Sequence, residues 1–539
     1  MSFSILDCTL RDGGYYNNWD FEPEVVSRYL DSVAKAKIDY VELGLRNFAK
    51  PGFLGAFAYT TEEFVNTLML PDGPTYGVMI DAKTILESGL AVENAIDELF
   101  VPASKSKIDL VRVAAHFNEV EHSAPIVSYL KKLGYTVGFN LMQAGGKADD
   151  IIADKARQAV SWDGLDVLYF ADSLGNMDAQ EVQRIVRALR VHWTGPMGIH
   201  THNNMGKGLD NTLTAMEAGV SWLDTTITGM GRGAGNTQTE SLLAYLDTPT
   251  SKYQPKPVYE LVIRHFESMQ KNYGWGSNLL YFLGAQNDVH PTYIQNLLSN
   301  PHYGTDEIIG AIDYLSKVEG TTSYNGAVLD IALTFSDGES DINGSQDVQG
   351  LFDDRNVLII ANTPSTEKYA SAIEMYIHHN SPTVISINTT SHLAPNLIDY
   401  YVISHNSKFL SESKLYKGLD KPLILPKCRF TASELTEIEG VTLIDYGLEV
   451  TKETFEVNGT YATIPYDITT AYILGALLES KVKSISVVGF EGYAQDDGRQ
   501  LEMVNLLALY QAHESNVEIT SLTPSSYPIT KGSVYAPVK

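Results

Sequence analysis

Eight short apolar runs of β-strand character follow one another at nearly even spacing: FSILDCT, DYVELGL, TYGVMID, LVRVAAH, TVGFNLM, VLYFADS, MGIHTHN and WLDTTIT. The first begins at Phe3 and the eighth at Trp222. Each gap leaves room for one helix, and several hold amphipathic candidates such as PEVVSRYLDSVAKA, AQEVQRIVRALRVH and LDNTLTAMEAG. Strand then helix, eight times over about 250 residues, is the arithmetic of a (β/α)₈ TIM barrel. An open, doubly wound sheet permits the same alternation, but eight units of even size favour closure.

The barrel accounts for less than half of the 539 residues, so further domains are expected. Residues 251–330 carry helical segments such as PVYELVIRHFESMQKNY and TDEIIGAIDYLSKV, which predict a helical appendage. The Gly-, Ser- and Asp-rich stretch SDGESDINGSQDVQG places a linker at 331–355. A second alternation then starts at NVLIIAN and runs through TVISIN, YYVISH, LILPK, TLIDYG, SISVVGF and VEITSLT. It predicts an open, mostly parallel, Rossmann-like α/β domain over 356–539.

Charge narrows the function classes. The formal net charge of −27 disfavours nucleic acid and anionic membrane surfaces, because both need clustered Lys and Arg. Two cysteines, Cys8 and Cys428, supply neither a disulfide framework nor a cysteine zinc site. With no signal-peptide pattern at the N-terminus and no apolar run of roughly 18 residues, the expectation is a cytoplasmic protein acting on a small molecule.

Chemistry in such a barrel collects at the C-terminal ends of the strands. Those ends carry Arg11 and Asp12, Glu42, Asp81, His116, Asn140 and Gln143, Asp172 and Ser173, His200 and His202, and Thr225. In His200-Thr201-His202 the two imidazoles are two residues apart, so a strand points both to one face. Two histidines and one carboxylate with open positions make a divalent-metal site. Asp12 is the matching carboxylate, because strands one and eight are neighbours in a closed barrel and strand seven lies beside eight. A single histidine would more readily be a hydrogen-bonded structural group, but the pair favours a metal. Arg11 then stands beside the metal as a fixed cation for an oxyanion; an ion pair with Glu42 is the plainer alternative. The glycine loop GMGRGAGN at 229–236 fits neither the dinucleotide nor the P-loop pattern. It precedes a helix whose N–H groups could cradle an anion, and its Asn236 could add an amide oxygen to the metal. Asp172 either fixes substrate or caps a helix.

TLRDG, the block HTHNNMGKGLDNTLTAMEAG and the loop GMGRGAGNTQTE resemble, in order, three motifs of the metal-dependent lyase and synthase superfamily. That superfamily includes hydroxymethylglutaryl-CoA lyase, isopropylmalate synthase and 4-hydroxy-2-oxovalerate aldolase. The likeness spans residues 1–250. It implies a divalent metal, Mn²⁺ or Mg²⁺ ahead of Zn²⁺, held by Asp12, His200 and His202 with Asn236 as a further ligand. It also implies an enolate stabilised by Arg11. Substrate contacts are expected from the polar strand-end residues Glu42, His116, Asn140, Asp172, Ser173 and Thr225. The implied reaction is aldol cleavage or formation on a 4-hydroxy-2-oxo acid or related sugar acid, through a pyruvate-type enolate. A Claisen-type synthase using an acyl-CoA, and an inactive barrel serving as a binding scaffold, are the alternatives. In the aldolase branch a histidine base follows the RDG tripeptide after one further residue; here that position is Tyr15. A phenol is a poor base at neutral pH, so Tyr15, Tyr16, His116 and His290 all remain candidates. Tyr281, in YFLGAQNDVHPTY, matches an additional active-site tyrosine of that branch.

NVLIIANTPSTEKY is similar to the strand-then-GNGPS opening of bacterial sialyltransferase-like domains, and VVGFEGY to a later piece of them. Ala361 and Thr363 replace the two glycines. The likeness implies a phosphorylated or nucleotide-linked ligand near Asn362, Thr363 and Ser365; a module for homo-oligomer assembly or for docking a partner enzyme is the preferred reading.

Overall fold

The computed structural model describes residues 3–536 except 163, 301–304, 327, 330–341, 390–391, 406–414, 431 and 495–496. Eight strands close a barrel in chain order: β1 (Ser4–Asp7), β2 (Tyr40–Leu45), β3 (Thr75–Asp81), β4 (Leu110–Ala115), β5 (Thr136–Leu141), β6 (Val167–Asp172), β7 (Met197–Thr201) and β8 (Trp222–Thr225). Every pairing is parallel, and β8 returns to β1 with Ile5 opposite Leu223 and Asp7 opposite Thr225. Parallel strands covered on both faces read as continuous apolar runs, and β4 and β6 are buried throughout. The helices outside are one-faced. Pro23–Lys35 buries Val26, Tyr29, Leu30 and Val33, the i, i+3, i+4, i+7 stripe. Ala179–Arg190 buries Val182, Ile185, Val186 and Leu189, and the side chain of Asp178 caps it by accepting from the Glu181 N–H.

The barrel interior holds a charge. Arg112 of β4 is fully buried, with its guanidinium 4.8 Å from the centre of the Tyr169 ring. Glycines opposite these large side chains make the space. A Cβ at Gly138 would stand 3.1 Å from the Arg112 side chain, and one at Gly198 would stand 2.3 Å from the Tyr169 ring.

By internal contacts the chain forms two compact units. One comprises residues up to Asn296 together with Glu319–Tyr324; the other comprises Leu297–Val318 and the residues from Asn325. The division therefore falls inside the segment expected to be one helical appendage. In the first unit, helices Lys256–Leu261 and Glu267–Tyr273 are joined by the π-helical turn Val262–Phe266, and Leu279–Gln286 follows. These helices reach the barrel mouth. Trp275 Nε1 donates to the Thr228 carbonyl at 3.1 Å, and the Ser277 hydroxyl donates to that of Asn203.

The second unit contains an open eight-stranded sheet, all parallel. Its strands are β9 (Asn356–Ile360), β10 (Thr383–Ile387), β11 (Tyr400–Val402), β12 (Leu423–Leu425), β13 (Leu443–Asp445), β17 (Ser484–Val488), β18 (Ile519–Ser521) and β19 (Thr530–Lys531). The order is β13-β12-β11-β10-β9-β17-β18-β19. A three-stranded sheet in the order β14-β16-β15 stands apart, made of β14 (Gly447–Val450), β15 (Glu456–Asn458) and β16 (Tyr461–Ile464). Residues 331–341 of the expected linker lie outside the described residues. The next residues are held against this unit: Gly344 N–H donates to the Thr460 carbonyl, Gln346 N–H to Asp445 and Val348 N–H to Gly459. No helix among the described residues is long and apolar enough to cross a membrane.

The close contact at Gly198 makes it a direct test of interior packing. Gly198→Ala is expected to destabilise the protein by about 1–3 kcal/mol, the usual cost of overpacking a filled core, read as a lower urea midpoint. An unchanged midpoint would mean that the barrel has slack around Tyr169.

Candidate active site at the barrel mouth

Arg11 and Asp12 do not sit at the tip of β1. The strand ends at Asp7, and one helical turn, Thr9–Asp12, carries both side chains over the barrel mouth. Asp7 stabilises this turn: its carboxylate accepts from the Thr9 N–H and hydroxyl, the Tyr29 hydroxyl and the Thr239 hydroxyl. His200 belongs to β7, and His202 lies just past its end, where it forms an isolated bridge with Asn236. The two imidazoles are edge to face with ring centres 5.1 Å apart. One ligand atom each from Asp12, His200 and His202 lies within 4.8 Å of the others, and all three residues are buried. His200 Nε2 is 3.7 Å from Asp12 Oδ2.

The groups beneath fix this geometry. Arg11 donates to Glu42 through Nε at 2.8 Å and to Asp12 through Nη1 at 2.5 Å. Arg112 clasps the same Glu42 with Nε at 2.7 Å and Nη2 at 2.6 Å, and reaches Asp224 with Nη1 at 2.6 Å. Asp224 Oδ2 is 2.9 Å from His200 Nδ1. Burial opposes the charge on Asp224, but Arg112 and His200 hold its pKa below the usual carboxylate value, so Nδ1 is the donor and the Nε2 lone pair faces Asp12. A chain of contacts thus runs from Asp12 through Arg11, Glu42, Arg112 and Asp224 to His200. Two guanidinium groups face three carboxylates in it, leaving one negative charge uncompensated.

Buried polar atoms beside these groups are left without partners. His202 Nδ1, Asn236 Oδ1 and Arg11 Nη2 are buried without hydrogen-bond partners. Burial, against the pull of Asp12, keeps His202 neutral with a pKa of about 3, and a neutral imidazole is the ligating form. Burial also opposes ionisation of Asp12, yet Arg11 and the two histidines hold its pKa below the ordinary range. Asn236 Nδ2 donates to Asp12 Oδ2. A Cβ on Gly231 would stand 2.6 Å from that carboxylate, so only glycine allows this approach. The donor set fits a divalent cation.

These groups open into a cavity of about 640 Å³, whose wall includes Arg11, Asp12, Tyr15, Asp81, His116, Asn140, Ser173, His200, His202 and Arg232. Ser173 Oγ accepts from the Gln143 N–H at 3.0 Å, and Asn140 Oδ1 is buried without a partner. Other expected contacts lie elsewhere. Glu42 sits within β2, spent on the two arginines, so its ion pair with Arg11 is the arrangement found. Thr225 is fully buried and bonds Thr239. Asp172 turns back on its own loop, accepting from the Asn176 and Met177 N–H groups, and burial raises its pKa to about 7. Tyr16 donates to the Gly233 carbonyl at 2.5 Å and pairs with the Tyr281 hydroxyl at 3.0 Å; burial raises the pKa of both phenols. Burial raises that of Tyr15 as well. His290 lines a neighbouring cavity of about 530 Å³, which shares His116 and Lys83 with the first.

In the second unit, the helix start near Asn362 is occupied from within. Glu491 Oε1 accepts from the Thr363 hydroxyl at 2.9 Å and the Ser365 N–H at 2.8 Å, so these donors face a carboxylate of the protein itself rather than an open phosphate cradle. The helix that follows, Pro364–Lys368, has five residues.

Residues 2–256 match the HMGL-like family model. The 4-hydroxy-2-oxovalerate aldolase of Brevibacillus brevis is 31% identical over 257 residues, covering 45% of this chain and 69% of that one. The chain belongs to the HMGL-like family. A second relative, 4-hydroxy-2-oxovalerate aldolase 4 of Rhodococcus opacus, is 34% identical over 254 residues, covering 45% and 67%. The oxaloacetate decarboxylase of Mycobacterium tuberculosis is 29% identical over 245 residues, covering 45% and 69%. The crystal structure of the N-terminal domain of an aldolase-like protein from Bacteroides vulgatus is 30% identical, with a TM-score of 0.51, covering 57% of this chain and 99% of that one. The HMGL-like barrel is that of a carbon–carbon lyase of the aldolase type.

Arg112 and Asp224 were not among the residues expected from the sequence. Each interrupts an apolar strand, LVRVAA or WLDT, with a charge at a buried position, and that was the available signal.

His290 gives this region a pH signature. Burial, with Arg232, His202 and His116 nearby, lowers its pKa to about 2. The unfolded chain therefore binds the extra proton first. The contribution of neutral His290 to stability is complete above its unfolded value near 6.5 and is lost as pH falls from there toward about 2. His290→Gln is expected to remove up to about 1.4 kcal/mol per pH unit of the stability loss between pH 6.5 and 5, measured by urea unfolding of both proteins. Equal slopes would show that the imidazole charges freely in the folded state.

Proposed function

We propose that the barrel cleaves, or in reverse forms, the C3–C4 bond of a 4-hydroxy-2-oxo acid or a related sugar acid, giving pyruvate and an aldehyde. The observation that carries this reading is the unpartnered Arg11 Nη2 beside the convergent Asp12, His200 and His202. A hydrogen-bond donor and a cation-holding set meet where an oxyanion would form. The family resemblance favours Mn²⁺ or Mg²⁺ as the cation, and two imidazoles with a carboxylate also suit Zn²⁺. A divalent cation held there supplies Lewis-acid polarisation of the substrate's 2-oxo group.

The remaining steps fall to side chains. A base removes the proton of the C4 hydroxyl, the C3–C4 bond breaks, and C4 leaves as the aldehyde. The bonding pair passes to C3 and the C2 oxygen as an enolate, toward which Arg11 Nη2 is free to donate. A proton delivered to C3 completes pyruvate. His116 is the base that the geometry favours. It shares the cavity wall with the metal-site residues, whereas Tyr16 and Tyr281 are bonded to each other and Tyr15 has a raised pKa. Imidazole is the usual carrier of such a proton.

The test is a coupled assay for pyruvate from a panel of 4-hydroxy-2-oxo acids with added Mn²⁺, alongside metal analysis of the full chain. His200→Ala and His202→Ala are expected to lose bound metal and pyruvate release together, and Arg11→Met to lower kcat by about 10²–10³ with metal retained. Full metal content in both histidine variants would remove the proposed ligands. CoA release from an acyl-CoA and a 2-oxo acid, without pyruvate, would move the assignment to a synthase.

A further inference from the structure

Arg232 is the one residue of the glycine loop that projects a charge into the cavity. It lines the same wall as Asp12, His200 and His202. Among the described residues no carboxylate lies within ion-pair distance of it, and its Nε is buried without a hydrogen-bond partner. Its guanidinium lies 5.1 Å from the centre of the Tyr15 ring, a cation–π contact that orients the plane and leaves the N–H edge unspent. In a chain with 66 acidic and 39 basic residues, a sheltered arginine without a carboxylate is an unusual expense.

The loop that bears it is fixed. Gly235 N–H donates to the Arg232 carbonyl at 3.2 Å, Ala234 N–H to Asn204 Oδ1 at 3.2 Å, and Asn236 N–H to the Gly229 carbonyl at 3.0 Å. Gln295 ties the loop to Tyr15: its Oε1 accepts from the Gly233 N–H at 3.1 Å and its Nε2 donates to the Tyr15 carbonyl at 3.0 Å. The arginine and the ring beneath it are thus positioned together before any ligand arrives.

The cavity wall around Arg232 carries charges of both signs, and Asp81 is held by Lys50, Arg11 and Arg232 together. Lys50 and Lys83 line the same cavity, together with Asp81, Glu87 and Glu119. Glu87 is 3.7 Å from Lys83, and Glu119 accepts from the His116 N–H. On the other side, the neighbouring cavity is lined by Lys83, Lys147, His116 and His290, with Glu119 as the carboxylate among its lining residues. The metal site and Arg11 already answer the 2-oxo acid end of a substrate. A second guanidinium, the group best suited to carboxylate or phosphate, has a role only if the other end is also anionic.

We propose that Arg232 and Tyr15 form a second anion subsite, and that the substrate is a 4-hydroxy-2-oxo acid whose aldehyde half carries a carboxylate or a phosphate. This rests on the lyase reading given above. It also accounts for Tyr15 standing where the aldolase branch carries a histidine: the ring is the platform for the arginine.

The experiment measures pyruvate release by the full-length protein with Mn²⁺ on three 4-hydroxy-2-oxo acids differing only in the tail: neutral, carboxylate or phosphate. Wild type is expected to favour at least one anionic tail by about tenfold or more in kcat/KM, chiefly through KM. The better of the two identifies the group. Arg232→Gln is expected to collapse that ratio, and Arg232→Lys, which keeps the charge but loses the fork, to retain part of it. A wild-type ratio near one, or a ratio that Arg232→Gln leaves intact, overturns the subsite while the lyase reading stands. No pyruvate from any of the three defeats the lyase reading itself, and the subsite with it.

Discussion

Arg112, buried in the centre of the barrel, holds the site together. It touches Glu42 with two nitrogens and Asp224 with a third. Glu42 in turn holds Arg11, and Asp224 holds His200. Removing one member of such a buried set leaves its partners as uncompensated charges, a loss of about 3–5 kcal/mol. The barrel therefore does not merely carry a candidate metal site at its rim. Its core charge orients two residues of that site from below, on opposite sides of the β1–β8 seam.

The site above inherits its order from this arrangement. His200 presents Nε2 because Nδ1 is committed to Asp224. Arg11 is held by Glu42 and Asp12, yet keeps one N–H free. Preorganised donors of this kind need no rearrangement when charge develops in a reaction. The glycine loop completes the mouth: Gly231 lets Asn236 approach Asp12, and its neighbour Arg232 faces the cavity.

The barrel was legible because its strands are buried on both faces and so stand out as apolar runs, and the seven longer runs after residue 355 identify the second sheet for the same reason. Strands β14, β15, β16 and β19 were not legible: GLEV, EVN, YATI and TK are short and mix polar with apolar residues, so no apolar run marks them. The HxH pair and Asp12 could be brought together on paper from strand adjacency alone. The helical turn that lifts Arg11 and Asp12 off β1 could not, since Cys8 before it offers no capping bond and Asp7, which holds it, reads as the end of the strand. Asp172 and Thr225 were named for being polar at strand ends, but one folds back onto its own loop and the other onto Thr239. A strand end fixes where a residue begins, and only its neighbours decide where its side chain points.

The central claim is that Asp12, His200 and His202 share one cation, with the chain of charges through Arg112 setting their aim. Anomalous diffraction from crystals grown with Mn²⁺ tests it most directly. A single peak is expected at the barrel mouth, within direct coordination distance of an Asp12 oxygen, His200 Nε2 and a ring nitrogen of His202. A manganese peak away from these atoms, or His200 turned so that Nε2 faces Asp224, would contradict it.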